Sequence, residues 1–587
     1  MVSLPPGPVY LARAAFKVSV PTVSILLLQH YIPDLLPDYA WKWSCLLNLP
    51  GIGVIRRIAK YVREEREIRQ LGARRMPLAP STIPFGLDIL YQISTTFING
   101  YLSEGPQRFI DAVGPVFMMR ILGRDTIFTV EPEHTKAILA TDFNNFEKGA
   151  PFRSYMDSVL GVGVFNSDGD MWKFHRSITR PYFSKDRISH FETFDRHAEA
   201  LFKKMKRRLA EGEAVDFQDL VGRFTLDSAT EFLFGSCVNS LDADLPYAWN
   251  SPRNAKAPRT THSSDKFAEA FSKAQFQIAL RSRTADVYQL LEFWKDKTED
   301  PMKDIMEFIN PIVQEGLAKK KSMQLTTTEE KEYLTLLDDL FQKTDDVKIL
   351  KDEVLNILIA GRDTTMCTLT FAVYCLSQNP EVLATLREEI LTKIGPTRRP
   401  HFDDIKDLKY LRAVINETLR LYPPVPFNVR RSKVATALPA RDGGKPYYVP
   451  SDVDVPYSPF IMHRRKDLWG PDAWEFDPNR FLDERLHKYL TPNPFIFMPF
   501  NAGPRICLGQ QFAYNESSFL LIRLLQTFDN ITLDLNAQPP ASRAPESWKL
   551  AEGTQSQEKI IAKCHLTLYS HMGLWVKMHE AQHTDTV

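Results

Sequence analysis

Runs of apolar residues divide the chain into a biased N-terminus, a long helical middle and a tail of short strands. An apolar stretch at residues 18–28 is broken by Pro21 and preceded by Arg13 and Lys17; a second at 41–55 contains Lys42, Asn48 and Pro50. Neither reaches the roughly 20 clean apolar residues of a spanning helix. Together they read as an anchor that crosses a membrane once or lies re-entrant, with a solvated amphipathic helix as the alternative. No small-residue cleavage site follows the first stretch, which speaks against a signal peptide. The next segment carries Arg56, Arg57, Lys60, Arg63, Arg66, Arg69, Arg74 and Arg75 among Glu64, Glu65 and Glu67, and positive charge beside an anchor favours the cytosolic side.

Beyond the stiff connector made by Pro77, Pro80 and Pro84, apolar residues at 116–120 and 127–130 flank Gly123-Arg124-Asp125 and predict a strand hairpin. From Ile188 onward the spacing turns helical, with amphipathic stretches at 198–209 and 267–280, and 352–376 reads as one long apolar helix. Segments 239–265 and 536–558 read as polar insertions. Leu566, Leu568, Leu574 and Val576 around Ser570-His571-Met572-Gly573 predict a terminal hairpin. The class is mainly α with small β-sheets, with residues 1–76 as anchor and linker and 77–587 as the main domain.

Composition narrows the classes. The 587 residues are 44% hydrophobic and 25% charged, with a net charge of +1, which offers no basic excess for nucleic acid. The six cysteines, Cys45, Cys237, Cys367, Cys375, Cys507 and Cys564, show neither C-x-x-C spacing nor a disulfide framework, so a reducing compartment fits.

One cysteine stands in unusual company: Phe500-Asn501-Ala502-Gly503-Pro504-Arg505-Ile506-Cys507-Leu508-Gly509. A cysteine alone would be read as a core residue. Here glycines permit close backbone approach to a flat ligand, and a helix starting near Leu508 would aim its positive end at an anionic sulfur. Cys507 is therefore read as a thiolate on heme iron, a ligand that pushes electron density toward bound dioxygen and favours O–O cleavage. The segment resembles the heme-binding signature F-x-x-G-x-R-x-C-x-G of the cytochrome P450 monooxygenases.

Other elements of that family follow in its order. In the apolar helix, Ala360-Gly361-Arg362-Asp363-Thr364-Thr365 places an acid and an alcohol on a hydrophobic face. The Thr364 hydroxyl could bond the iron-bound oxygen while Asp363 relays protons, with Gly361 leaving room for dioxygen. The alternative is a kink at Gly361 with Thr364 bonded back to the carbonyl four residues earlier. Glu417 and Arg420 share a helical face and, with Arg480 of Pro478-Asn479-Arg480-Phe481, resemble the family's structural E-x-x-R network. Trp172 and Arg176, four apart, resemble its early propionate-binding helix; Arg430 and Arg505 would complete the clamp on the heme carboxylates. Arg431 competes with Arg430 for that assignment, and His175 and His463 read as surface or core residues rather than iron ligands.

The resemblance implies a cytochrome P450-like fold with heme b (iron protoporphyrin IX) between the long central helix and the cysteine loop. Its cofactor-binding residues would be Cys507, Arg505, Arg430, Trp172, Arg176, Gly361 and Phe500, and its catalytic residues Asp363 and Thr364. No dinucleotide, phosphate-loop or H-E-x-x-H motif is visible, so electrons from NADPH would come through a separate diflavin reductase at the cytosolic face of the endoplasmic reticulum membrane. Glycosylation sequons at Asn416 and Asn515 beside the heme core argue against a lumenal domain; a third lies at Asn530. The two hexapeptides at 360 and 500 look like the fungal alkane and fatty-acid hydroxylase branch, implying O2 insertion into a long-chain lipophilic substrate. Candidate substrate contacts are Phe152, Tyr155, Met156, residues 425–427 and Met572. A reductant-independent isomerase or dehydratase, a xenobiotic-oxidising monooxygenase and a heme sensor are the rivals.

Overall fold

The computed structural model describes residues 4–184, 191–254, 262–325 and 335–582. The two N-terminal apolar stretches become two long helices, α1 (Pro6–Tyr31) and α2 (Asp38–Gln70), each running through its internal proline. The sequence reading left the first stretch too short to span. The helix extends both ends of it to 26 residues, about 39 Å at 1.5 Å per residue, with none of its most apolar window buried. That is enough length and apolarity to cross a membrane.

The main domain is helical, built around α3 (Leu87–Asn99), α4 (Gly169–Thr179), α5 (Phe217–Phe234) and α6 (Ser263–Thr284), with α7 (Val347–Leu358), α8 (Thr364–Gln378), α9 (Lys409–Leu421) and α10 (Gln510–Thr527). Between α7 and α8 lies a single π-helical turn, Ile359–Asp363, so the predicted long helix is present but locally widened. α8 is buried almost all round, including Leu369, Phe371 and Leu376, as a helix through the middle of a large core must be.

The predicted hairpin forms between β1 (Val116–Ile121) and β2 (Arg124–Thr129), with Gly123 at φ 80° in its turn, a conformation that favours glycine. It is one edge of a five-stranded sheet. β3 (Phe146–Glu147) lies at the other edge, next to β5 (Asn428–Ser432), and β6 (Asp454–Tyr457) joins β5 to β2, parallel to β2. In a second sheet β10 (Trp575–Glu580) lies between β4 (Val215–Asp216) and β7 (Phe528–Leu533), and β8 (Ala562–Cys564) pairs with β9 (Leu568–Ser570) in a third.

The terminal hairpin therefore does not form as predicted. The turn at 570–573 exists, but its two arms enter different sheets. Gln218 donates to the Ser570 carbonyl and accepts from its N–H, Asp216 accepts from the Leu574 N–H, and Gln538 donates to the Gly573 carbonyl. Side chains distant in sequence thus take the bonds that a local hairpin would have used. The segment 536–558 also does more than cover the surface. It delivers Gln538, Trp548 and Glu558 into the interior, where Glu558 accepts from Tyr422 at 3.0 Å and from Tyr374 at 3.2 Å. Burial pushes the Glu558 carboxyl up to about 7. Of 239–265, residues 255–261 lie outside the described residues; Leu241, Leu245 and Ala248 are buried.

Candidate active site

The loop before α10 is folded back on itself. The Cys507 N–H donates to the Phe500 carbonyl at 3.0 Å, and the Phe500 ring leans on Tyr514. Asn501 and Gly503 have φ of 64° and 63°. A Cβ at Gly503 would lie 1.8 Å from the Leu139 carbonyl oxygen, so only glycine fits. Asn501 holds its strained backbone by accepting from the Tyr457 hydroxyl at 3.0 Å. Gly509, by contrast, is at φ −81°, and a Cβ there would make ordinary contacts with Phe183 and the Cys507 sulfur.

Behind the loop is the charge network that Glu417 and Arg420 suggested. Arg420 donates twice to Glu417, at 2.7 and 2.8 Å, and to the carbonyls of His463 and Ala473 at 2.8 and 2.6 Å; Arg480 reaches Glu417 at 3.4 Å and the Asp472 carbonyl at 2.8 Å. All three side chains are within 1% of complete burial. His463 extends this network to the loop. It donates from Nδ1 to the Arg420 carbonyl and accepts the Met498 N–H at Nε2, at 2.9 Å. Burial and the adjacent Arg420 hold its pKa at about 3, so it stays neutral and keeps that acceptor. His175 is likewise buried, between the Val162 carbonyl and Glu353.

The Cys507 side chain is accessible, yet surrounded closely enough that burial raises its pKa, opposed by the Gly509 N–H and by Arg176. The protein alone keeps a thiol there; a bound metal cation would make it a thiolate. Beside it lies an excess of positive charge. Arg505 donates to Asp168 at 2.7 Å and to the Ser167 carbonyl at 3.1 Å, and its Nε is buried with no partner. Its guanidinium lies 4.7 Å from the Trp172 ring centre, and that of Arg176, which donates to the Ile506 carbonyl at 2.8 Å, lies 5.8 Å from the same ring. Arg430, 2% exposed on β5, bonds only Asn428 and its neighbour's carbonyl among the described residues. Arg431 is committed to Asp454 at 2.8 Å, whereas Arg430 has no carboxylate partner among the described residues.

The sequence reading missed Lys148, which donates to Asn428 and stands over the Phe152 ring. Burial, then Arg430 and Arg505, drives its pKa well down; burial and Arg430 lower Arg505 to about 10. Asp168 is the carboxylate among them. Burial works to raise its pKa, but the N–H groups of Lys148 and Gly149 and the guanidiniums of Arg505 and Arg153 hold it low. Asp168 is thus shared among Arg153, Arg505 and the Lys148 backbone, with the Arg430 charge close by, and the Arg505 Nε is buried with no partner among the described residues. Two further carboxylates would complete that donor set, which is what heme propionates would bring. Nothing in the sequence marks Lys148 or Asp168, because Arg505 lies 337 positions from Asp168.

On the other side, Thr364 donates to the Ala360 carbonyl at 2.7 Å, the back-bonded arrangement foreseen as the alternative, within the π turn. Asp363 is 1% exposed and bonded to Arg362 at 2.7 Å and Gln275 at 2.8 Å, which settles where the charged Arg362 goes. A Cβ on Gly361 would come within 3.0 Å of the Ala229 Cβ, so this glycine lets α5 approach closely. Of the substrate candidates, Tyr155 is tied to Arg124 and Asp286, Met156 is core, and Met572 is half exposed at φ 59°. The structure does not gather them into one group.

The profile of the family described as Cytochrome P450 matches residues 87–555. Among curated proteins, the chain is 37% identical to Cytochrome P450 52A5 of Candida maltosa over 545 residues, 90% of this chain and 98% of that one. It is 38% identical to Cytochrome P450 52A1 of Candida tropicalis, over 76% of this chain and 80% of the relative. It is 32% identical to Cytochrome P450 monooxygenase pvhE of Talaromyces variabilis, over 91% and 95%.

Proposed function

We propose that this chain, which belongs to the cytochrome P450 family, hydroxylates a long-chain alkane or fatty acid, using electrons passed from NADPH by a separate diflavin reductase. The observation that carries it is the accessible Cys507 thiol beside the under-neutralised cluster of Lys148, Arg430 and Arg505. Heme b bound there would supply the oxygen chemistry, with the Cys507 sulfur as its iron ligand. Trp172, Arg176, Arg430 and Arg505 would hold the heme carboxylates, Phe500 would shape the cysteine loop through its bond to the Cys507 N–H, and Gly361 would keep α5 close to the π turn.

Thr364 and Asp363 handle protons. The Thr364 hydroxyl, which donates to the Ala360 carbonyl, would be able to donate a hydrogen bond into the site once that bond is released, and the π turn, which already loosens the helical ladder, would ease the release. Asp363 passes a proton inward when its bonds to Arg362 and Gln275 are shared with water. The substrate class rests on the likeness to the Candida relatives. The unburied α1, followed by the basic face of α2, supports an endoplasmic reticulum anchor with the domain in the cytosol.

The test is the absorption of the reduced, carbon-monoxide-bound protein. A thiolate-type band is expected, and Cys507→Ser should abolish it while the protein remains folded; an imidazole-type band, or a thiolate band surviving in the variant, overturns the assignment. Reductase-dependent NADPH and O2 consumption with an alkane and fatty-acid panel then tests the substrate. Full turnover with peroxide alone would favour the reductant-independent rival.

A further inference from the structure

We propose that His197, Glu231 and Cys237 form a divalent-metal site of zinc type, on the face of α5 turned away from the π turn. It is independent of the substrate assignment above.

Among the described residues, one set of three metal-ligating side chains converges: the His197 imidazole, the Glu231 carboxylate and the Cys237 thiol, whose ligand atoms lie within 4.8 Å of one another. They come from three segments. His197 is on the helix Glu192–Ala210, which packs on α5; Glu231 is in the last turn of α5, and Cys237 follows its end. The chain turns at Gly235, with φ 74°, and again at Asn239, with φ 53°, both residue types that tolerate left-handed backbone. Asp227 holds the returning segment by accepting from the N–H groups of Ser240 and Leu241 at 2.7 and 2.9 Å. These bonds keep Cys237 beside Glu231.

Each ligand also has outer support. His197 Nε2 and Glu231 Oε2 are 2.8 Å apart, which aims both atoms at one place. Arg196 takes the other carboxylate oxygen at 2.5 Å and leaves Oε2 as the ligand. The Asn239 N–H donates to the Cys237 sulfur at 3.3 Å, a bond that favours the thiolate a metal requires. A histidine–glutamate hydrogen bond by itself would explain two of the three groups. It does not explain why a half-buried thiol, held by a backbone N–H, is turned to the same point. Binding of a divalent ion would form the metal–sulfur bond and release the thiol proton to solvent, with no change of oxidation state.

The donor set selects the ion. Imidazole, carboxylate and thiolate together are zinc ligands, whereas calcium and magnesium take oxygen alone. Zinc bonds of about 2.0–2.3 Å place tetrahedral ligand atoms roughly 3.3–3.7 Å apart, so side-chain shifts of about 1 Å close the site around the ion and leave a fourth position for water. The carboxylate and thiolate balance the double positive charge. Arg196, with its side chain 61% exposed, is screened by solvent. Glu231 lies two residues beyond Ala229, about 200° around the helix, and Ala229 is the residue that Gly361 approaches. The ion would therefore staple α5 to the helix Glu192–Ala210 from the side opposite the π turn.

The experiment uses the full-length holoenzyme, freed of loosely held metal with EDTA, as wild type, His197→Gln, Glu231→Gln and Cys237→Ser. Equilibrium dialysis against zinc chloride with elemental analysis gives uptake, and the rate of Cys237 alkylation by iodoacetamide, followed by mass spectrometry, reads ligation at the sulfur itself. At zinc about tenfold above its dissociation constant, alkylation in wild type should slow by about tenfold, and magnesium chloride should not slow it. His197→Gln and Glu231→Gln should each weaken this protection by at least the roughly 10- to 100-fold that loss of an outer-shell partner costs. Cys237→Ser should take up one zinc fewer than wild type, and retention of the carbon monoxide band shows that each variant is folded. Absence of protection in wild type, protection unchanged in both glutamine variants, or equal uptake by wild type and Cys237→Ser overturns the site. Equal protection by magnesium overturns the zinc assignment.

Discussion

In the network behind the cysteine loop, each buried charge is met by a fixed partner; on the α7–α8 side, buried polar groups outnumber their partners. Glu417, Arg420 and Arg480 are sealed from water and bonded to one another and to backbone carbonyls of residues 463–475, and His463 carries the network to Met498 in the loop. Opposite them, Thr364 holds a carbonyl of its own helix, the Oε1 of Gln275 has no partner, and Glu516 is buried beside Thr365 and Ser228 with neither oxygen in hydrogen-bonding geometry. Burial pushes the Glu516 carboxyl up to about 8. The contrast teaches a division of labour. A sulfur ligand must stay at one place, which calls for a saturated network; a proton path must change partners, which calls for groups with spare capacity.

The largest way to break this contrast is Arg420→Ala. It leaves Glu417 buried without its main partner, and should cost about 3–5 kcal/mol and most of the bound heme, read by urea denaturation and by the heme-to-protein absorbance ratio. Unchanged stability with full heme content would mean that the network does not hold the loop. Thr364→Ala tests the other side. Product formed per NADPH consumed should fall by about 100-fold, the lower end of what positioned proton transfer contributes, while the carbon monoxide band and the melting temperature stay near wild type. A large drop in stability would show that Thr364 is part of the frame after all.

The smallest effect concerns Glu558, whose carboxyl is raised from its ordinary value to about 7 by burial. A folded-state pKa above the unfolded one contributes stability that is fully present below about pH 4.5 and is lost as pH rises through about 7. Glu558→Gln, which keeps the shape and cannot ionise, should therefore flatten the pH dependence of stability between those values, measured by chemical denaturation at a series of pH values. An unchanged slope would show that the tyrosines around it already stabilise the carboxylate.

Local patterns were legible where the partner is close in sequence. The β1–β2 hairpin, the long helix around Asp363 and the Glu417–Arg420 pair all follow from spacing, because residues two, three or four apart meet through the backbone geometry itself. The arms at 566–568 and 574–576 misled for the complementary reason. Alternation predicts a strand but not its partner, and Asp216, Gln218 and Gln538 redirected both arms. Polarity of 536–558 likewise concealed Glu558, whose neighbours Tyr101, Tyr374 and Tyr422 come from distant segments.

The amino-acid order alone determined that Cys507 stands in a glycine-bearing loop entering a helix, that an acid and a threonine interrupt the central apolar helix, and which arginines were candidates for binding carboxylates. Only the tertiary structure tied Arg431 to Asp454, brought Lys148 and Asp168 beside Arg505 and held Thr364 on Ala360. Charge balance is the physical reason. Whether a buried cation is satisfied depends on which groups surround it in space, and those groups lie hundreds of positions apart, beyond the reach of any local pattern.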